Sequence, residues 1–124
     1  MNASSVLGAS CHQWFCQEEV WFTTNMTVKT LLVEVRVQRT ANATYNGFFT
    51  SYNSLIDATY TTTSSELIYT FFNQGGQEVP AGTYRCAVQF DLSNMNQTVA
   101  LDKYSVQVIN ICGLVSTASG YFSR

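Results

Sequence analysis

The chain has 124 residues and a net charge of −2, with 11% of residues charged against about 25% in an ordinary globular domain, and apolar and aromatic fractions of 46% and 14%. This length holds one domain around one core, and so apolar a composition excludes a disordered chain. The six Lys and Arg residues are scattered singly, so there is no basic face for a nucleic-acid backbone, and no run approaches the roughly 20 apolar residues of a membrane-spanning helix.

Residues 1–10 form a weak element whose one apolar pair is Val6 and Leu7, suited to an edge strand or a free arm, and they lack the charged start and apolar centre of a signal peptide. Residues 12–24 carry Trp14, Cys16, Val20 and Phe22 at even positions, with Glu18 interrupting and Phe15 and Trp21 on the other side, which predicts a strand with a local irregularity. Residues 28–39 alternate strongly, with Leu31, Val33, Val35 and Val37 inward and Glu34, Arg36 and Gln38 outward. Residues 40–47 read as a polar connection, residues 48–63 as one or two short strands, and residues 64–72 as a strand buried on both faces. Gly75, Gly76 and Pro80 mark a loop before the cleanest alternation in the chain, where Tyr84, Cys86, Val88 and Phe90 fall on one side and Thr83, Arg85, Gln89 and Asp91 on the other. Residues 98–112 give a long last strand, with Tyr104, Val106 and Val108 facing one way and Ile109 and Ile111 the other. No helical stripe and no internal repeat interrupts the series, so the chain is all-β with strands spaced for a sandwich. Its expected divisions are an arm or edge strand at 1–10, a sandwich at 11–112 and a small-residue tail at 113–124.

Cys11, Cys16, Cys86 and Cys112 contain no C-x-x-C pair, and with His12 as the single histidine no zinc site of the usual spacing arises. Disulfides are the better reading. They imply an oxidising, extracellular location, secreted or at the cell surface, and four cysteines allow three connectivities. Asn-x-Ser/Thr sequons at Asn2, Asn25, Asn42 and Asn96 mark sites for N-linked glycans, and the last three fall between predicted strands, where a glycan reaches solvent.

The stretch Gly82-Thr83-Tyr84-Arg85-Cys86 resembles the Tyr-x-Cys entry to strand F of immunoglobulin-like domains. The resemblance implies an immunoglobulin-like antiparallel β-sandwich with Tyr84 as the structural corner. It also implies an inter-sheet bridge from Cys86 to Cys16, seventy positions earlier, and it makes residues 99–111 strand G. That bridge leaves Cys11 to pair with Cys112. The rival pattern closes Cys11 and Cys16 into a tight local loop and joins Cys86 to Cys112.

Candidates for chemistry are few. His12 beside Cys11 suggests a thiol–imidazole pair, but neighbours on a strand point to opposite faces, and a disulfide cysteine is no nucleophile. Glu18 and Glu19 likewise point apart and read as a solvated edge. Gly75-Gly76 lacks the Lys and Ser/Thr of a phosphate-cradling loop, and no G-x-S-x-G elbow occurs. The chain is therefore expected to be no enzyme, with no catalytic, cofactor-binding or metal-ligating residue. Tyr45, Phe48, Phe49, Tyr52, Tyr60, Tyr69, Phe71 and Phe72 either fill the sandwich or form a sticky surface for protein or carbohydrate.

Two functions fit this object. One is a structural subunit that self-assembles with copies of itself into an extracellular fibre, donating residues 2–10, anchored by Val6 and Leu7, to an open sheet edge of its neighbour. The other is a monomeric immunoglobulin-like adhesion or receptor ectodomain that binds a protein or glycan. Low charge content favours the first.

Overall fold

Alternation with period 2 in nine segments builds two antiparallel sheets that bury their apolar faces against each other. The computed structural model describes residues 1–7 and 11–122. Its strands are β1 (Asn2–Leu7), β2 (Phe15–Thr24), β3 (Val28–Gln38), β4 (Thr44–Thr50), β5 (Ile56–Thr62), β6 (Glu66–Asn73), β7 (Gly82–Asp91), β8 (Lys103–Asn110) and β9 (Val115–Tyr121). They form a four-stranded sheet in the order β1-β2-β7-β4 and a five-stranded sheet in the order β5-β6-β3-β8-β9. The expected immunoglobulin-like antiparallel β-sandwich is the architecture observed.

The interior follows the alternation closely. Leu31, Val33, Val35 and Val37 of β3 are buried, as are Tyr84, Cys86, Val88 and Phe90 of β7. The open sides between the sheets are closed by contacts between edge strands: Tyr45 of β4 stacks on Tyr60 of β5 with ring centroids 3.6 Å apart, and Ser5 Oγ of β1 donates to the Tyr121 carbonyl of β9 at 3.3 Å. The Tyr84 hydroxyl donates to the carbonyl of Pro80, four residues upstream, fixing the turn into β7. Gly75 and Gly76 take φ of 62° and 71° in the preceding turn, a conformation that glycine adopts without strain.

Several segments depart from expectation. Within the expected tail at 113–124, residues 115–121 are β9, pairing with β8 from Ile109↔Val115 to Lys103↔Tyr121, and residues 123–124 lie outside the described residues. The long last strand is shorter than expected, because a 3₁₀ turn at Val99–Leu101 precedes Lys103. β6 is buried on one face only, through Leu67, Tyr69 and Phe71, while Ile68 and Phe72 are half-buried. Of the two forms expected for residues 1–10, an arm or an edge strand, residues 2–7 take the edge strand, paired with β2, with Leu7 packed against the core and Val6 exposed; residues 8–10 lie outside the described residues.

The cysteine pairing also differs from the bridge that the immunoglobulin resemblance implied. β2 and β7 are neighbours in one sheet, with Cys16 opposite Phe90 and Cys86 opposite Val20. The two cysteines are thus four residues apart along a shared face, roughly 14 Å at about 3.4 Å per residue, beyond the reach of a disulfide. Cys11 and Cys112 cannot meet because they lie toward opposite ends of the sandwich. Cys11 precedes β2, whereas the Ile111 N–H beside Cys112 donates to the Thr27 carbonyl beyond the end of β2. Cys11 bonds Cys16 instead, leaving Cys86 buried and Cys112 exposed as free thiols. On the chain-entropy account a loop this short contributes about 2 kcal/mol, roughly half of what the expected long loop would contribute.

The position that interrupts the alternation of β2 is its most unusual feature. Glu18 is not a solvated edge residue: it points into the core at 0% exposure, among the apolar side chains of both sheets, while Glu19 is buried on the other face. Glu18 faces Asp102, whose carboxylate accepts the Gln38 N–H at 2.7 Å and Gln97 Nε2 at 3.0 and 3.1 Å. Neither Glu18 oxygen has a donor among the described residues. Burial first, then the hydrogen bond to Asp102 and its charge, hold the Glu18 carboxyl well above the ordinary glutamate range. Burial raises the Asp102 carboxyl as well, so the two groups share a proton more readily than they both ionise. A proton on Glu18 aimed at Asp102 leaves one negative charge between the sheets, with the other Glu18 oxygen still without a donor among the described residues.

Two measurements follow from this interior. With iodoacetamide, the native oxidised protein is expected to label rapidly at Cys112 alone, because burial pushes the Cys86 thiol up to about 12; unfolding without reductant should expose Cys86 as well, and a count of zero labels would refute the pairing. Because the Glu18 pKa is raised on folding, its contribution is fully present below the unfolded value of 4.5 and is lost as pH rises through the folded value. Glu18→Gln, whose amide donates to Asp102 without a bound proton, should therefore stabilise the protein at neutral pH by about 1–2 kcal/mol and flatten this dependence. Thermal melts of both proteins from about pH 4 to 8 check this, and a flat wild-type profile would refute it.

Candidate functional site: the outer face of the four-stranded sheet

Residues that do not face the core on β2 and β7 are the odd-numbered ones, and strand pairing puts them in rows. Trp21 lies opposite Arg85, Glu19 opposite Ala87, and Gln17 opposite Gln89, while Phe49 of β4 lies opposite Ala87 from the other side. Ala87 has the smallest side chain in this group, which leaves room over the middle strand. Arg85 fills it, with its guanidinium carbon 4.6 Å from the centroid of the Phe49 ring and 5.4 Å from that of Trp21. The cation thus covers one face of each ring, a contact worth about 0.5–1 kcal/mol apiece at exposed sites.

Glu19 fixes this group from below. Its carboxylate accepts Trp21 Nε1 at 3.0 Å and Gln17 Nε2 at 2.6 Å, and Arg85 Nη1 stands 3.9 Å away. Gln89 Nε2 donates to Gln17 Oε1 at 2.9 Å, extending the network across to β7. Thr23 and Thr83 share a hydroxyl–hydroxyl bond of 2.9 Å at the far end. Trp21 and Phe49 nevertheless remain 36% and 43% exposed. The face therefore presents two aromatic rings held in place by a guanidinium and a carboxylate, inside a border of amides and hydroxyls.

Sequence-expected residues lie mostly elsewhere. Asn2, Asn25, Asn42 and Asn96 are all exposed; Asn25, Asn42 and Asn96 sit in connections at the ends of the sandwich, and Asn2 lies on the outermost strand opposite Thr23. His12 is exposed in a bend, where Nδ1 accepts the Trp14 N–H at 3.1 Å. The aromatic group divides: Tyr69 and Phe71 are core, Tyr45 and Tyr60 close one side, and Phe48, Phe49 and Tyr52 are partly exposed. Among the described residues, no three His, Cys, Asp or Glu side chains gather to hold a metal ion. Reading the sequence did not bring Trp21, Arg85 and Phe49 together. The available signal was that Trp21 and Arg85 both fall on the polar side of strands whose other side is apolar.

No protein-family model matches the chain, and no curated protein matches it. Solved structures do. A cohesin module from a Clostridium perfringens family 33 glycoside hydrolase superposes with a TM-score of 0.60 at 9% identity, covering 98% of this chain and 95% of that one. A CBM3 module of Hungateiclostridium clariflavum superposes with a TM-score of 0.53 at 12% identity, covering 94% of this chain and 96% of that one. At such low identity the likeness extends to the whole fold and to nothing finer: the chain shares the sandwich of these modules.

Proposed function

We propose that this protein is a non-catalytic extracellular recognition module that docks a protein partner through the outer face of its four-stranded sheet. The observation that carries the reading is the stack of Arg85 between Trp21 and Phe49. Trp and Arg are the residue types that dominate interface energetics, and here they are ordered before any partner arrives, which lowers the entropy lost on binding. The surrounding Gln17, Gln89, Thr23 and Thr83 supply a polar rim of the kind that seals such a centre. Because the guanidinium covers one face of each ring, the pair offers no open aromatic floor for a sugar, which favours a protein. The Cys11–Cys16 disulfide and the exposed sequons support an extracellular setting, and the modules that share the fold are a cohesin and a CBM3.

Immobilised protein should retain a protease-sensitive partner from the extracellular fluid of its source, and Trp21→Ala or Arg85→Ala should each cut apparent affinity at least about tenfold. Equal retention by both variants, each verified as folded by circular dichroism, would sink the proposal.

The fibre reading draws on one observation, that β1 is an edge strand held mainly through its pairing with β2. Strand exchange would require β1 to leave its own β2 and pair with that of a neighbour. Such a subunit should sediment as polymers that shrink to monomers when residues 1–7 are deleted. A monomer at high concentration excludes it.

A further inference from the structure

The outer face of the five-stranded sheet carries a second feature, independent of the docking face. Arg36 lies opposite Lys103 and Lys103 opposite Tyr121, so these long side chains form a row across β3, β8 and β9. In the next outward-facing row, Glu34 lies opposite Ser105 and Ser105 opposite Ser119. The two serines are short and the row beside them is tall, which leaves a hollow of about 410 Å³. A second hollow of about 510 Å³ lies beyond, reaching Gln38, Ser65 and Glu66, and it shares Lys103 and Tyr121 with the first. The two hollows adjoin at Lys103 and Tyr121, and we read them as one groove along the sheet; Tyr121 is 64% exposed.

The charges in the groove are largely satisfied by one another. Arg36 Nε donates to Glu34 at 2.6 Å and Arg36 Nη1 to Glu66 at 2.9 Å, while Gln38 Nε2 donates to Glu66 at 2.8 Å. The Gln38 hydrogen bond, followed by the charge of Arg36, holds the Glu66 carboxyl below its usual range despite partial burial, and the Glu34 hydrogen bond raises Arg36. Glu34 and Glu66 cancel Arg36 and Lys103. Arg39, at the far end, donates to the carbonyls of Ala43 and Thr63 at 2.9 and 2.8 Å. Around the first hollow a formally charged ligand therefore meets no net field of opposite sign, while Arg39 keeps one positive charge, uncompensated among the described residues, at the far end of the second. What the groove does offer is carboxylate oxygens with spare lone pairs, an ammonium, serine hydroxyls and one exposed aromatic ring.

We infer that this groove binds a neutral oligosaccharide lying along the sheet, with the apolar face of one sugar on the Tyr121 ring and its hydroxyls on Glu34, Lys103, Ser105 and Ser119. Hydroxyls that donate and accept at once match this mixture of donors and acceptors, and an elongated groove suits a chain of sugar units. The inference does not rest on the protein-docking face, which belongs to the other sheet.

Native affinity electrophoresis of the whole chain in gels containing hydroxyethylcellulose, galactomannan, xylan or laminarin tests it, with alginate and heparin as polyanionic probes. At least one neutral polysaccharide should retard the protein, and added salt should leave the retardation unchanged. Tyr121→Ala and Ser105→Arg, the second filling the hollow, should each weaken retardation about tenfold, while Trp21→Ala leaves it intact. Circular dichroism and a thermal melt establish that the variants fold. No retardation by any neutral probe, retardation by the polyanions alone, or full retardation of folded Tyr121→Ala would overturn the inference.

Discussion

The ten-residue antiparallel pairing of β2 with β7 is the constraint on which the rest of the molecule depends. Its register sets Cys16, Val20 and Phe22 beside Phe90, Cys86 and Tyr84 on the core side, and it sets Trp21 beside Arg85 on the other. Because side chains alternate with period 2, a slip of one residue would turn the apolar groups of the strand that moved away from the core. The same register keeps Cys16 away from Cys86. One pairing thus fixes the packing, the sulfur chemistry and the outer surface together.

That pairing also forces Glu18 inward, since it occupies a core-facing position between Cys16 and Val20. A carboxylate there would be costly to bury alone, and the molecule answers with Asp102, brought by the approach to β8 and already accepting from Gln38 and Gln97. The result is a polar link between the two sheets in an otherwise apolar layer. Neither carboxyl lines the two hollows of the five-stranded sheet, and both are fully buried, so the pair belongs to the packing of the sandwich.

The two outer faces use scarce charge differently. On the four-stranded sheet one arginine orders two rings and leaves them partly exposed; on the five-stranded sheet two cations and two carboxylates neutralise one another around a lone exposed tyrosine. With only 11% of residues charged, neither face gains much from long-range attraction. Recognition at either one falls to short-range contacts, where shape and hydrogen-bond direction decide.

The sequence alone determined the strand-rich class, the inward faces of β3 and β7 and the place of Asn25, Asn42 and Asn96 in connections, because each is a matter of local alternation or turn chemistry. Tyr84 is singled out by the resemblance to strand F of immunoglobulin-like domains, and its partner at Pro80 is only four residues away. The single burial of β6 and the existence of β9 were not legible: residues 115–121 are small and weakly apolar, and they become a strand only because β8 offers them an unpaired edge. Strand order, too, belonged to the tertiary structure. Whether β2 faces β7 or lies beside it depends on contacts between residues some sixty to eighty positions apart, which no local pattern encodes. That one long-range choice decided which cysteines could meet, sent Glu18 to Asp102, and assembled Trp21, Arg85 and Phe49 on three different strands.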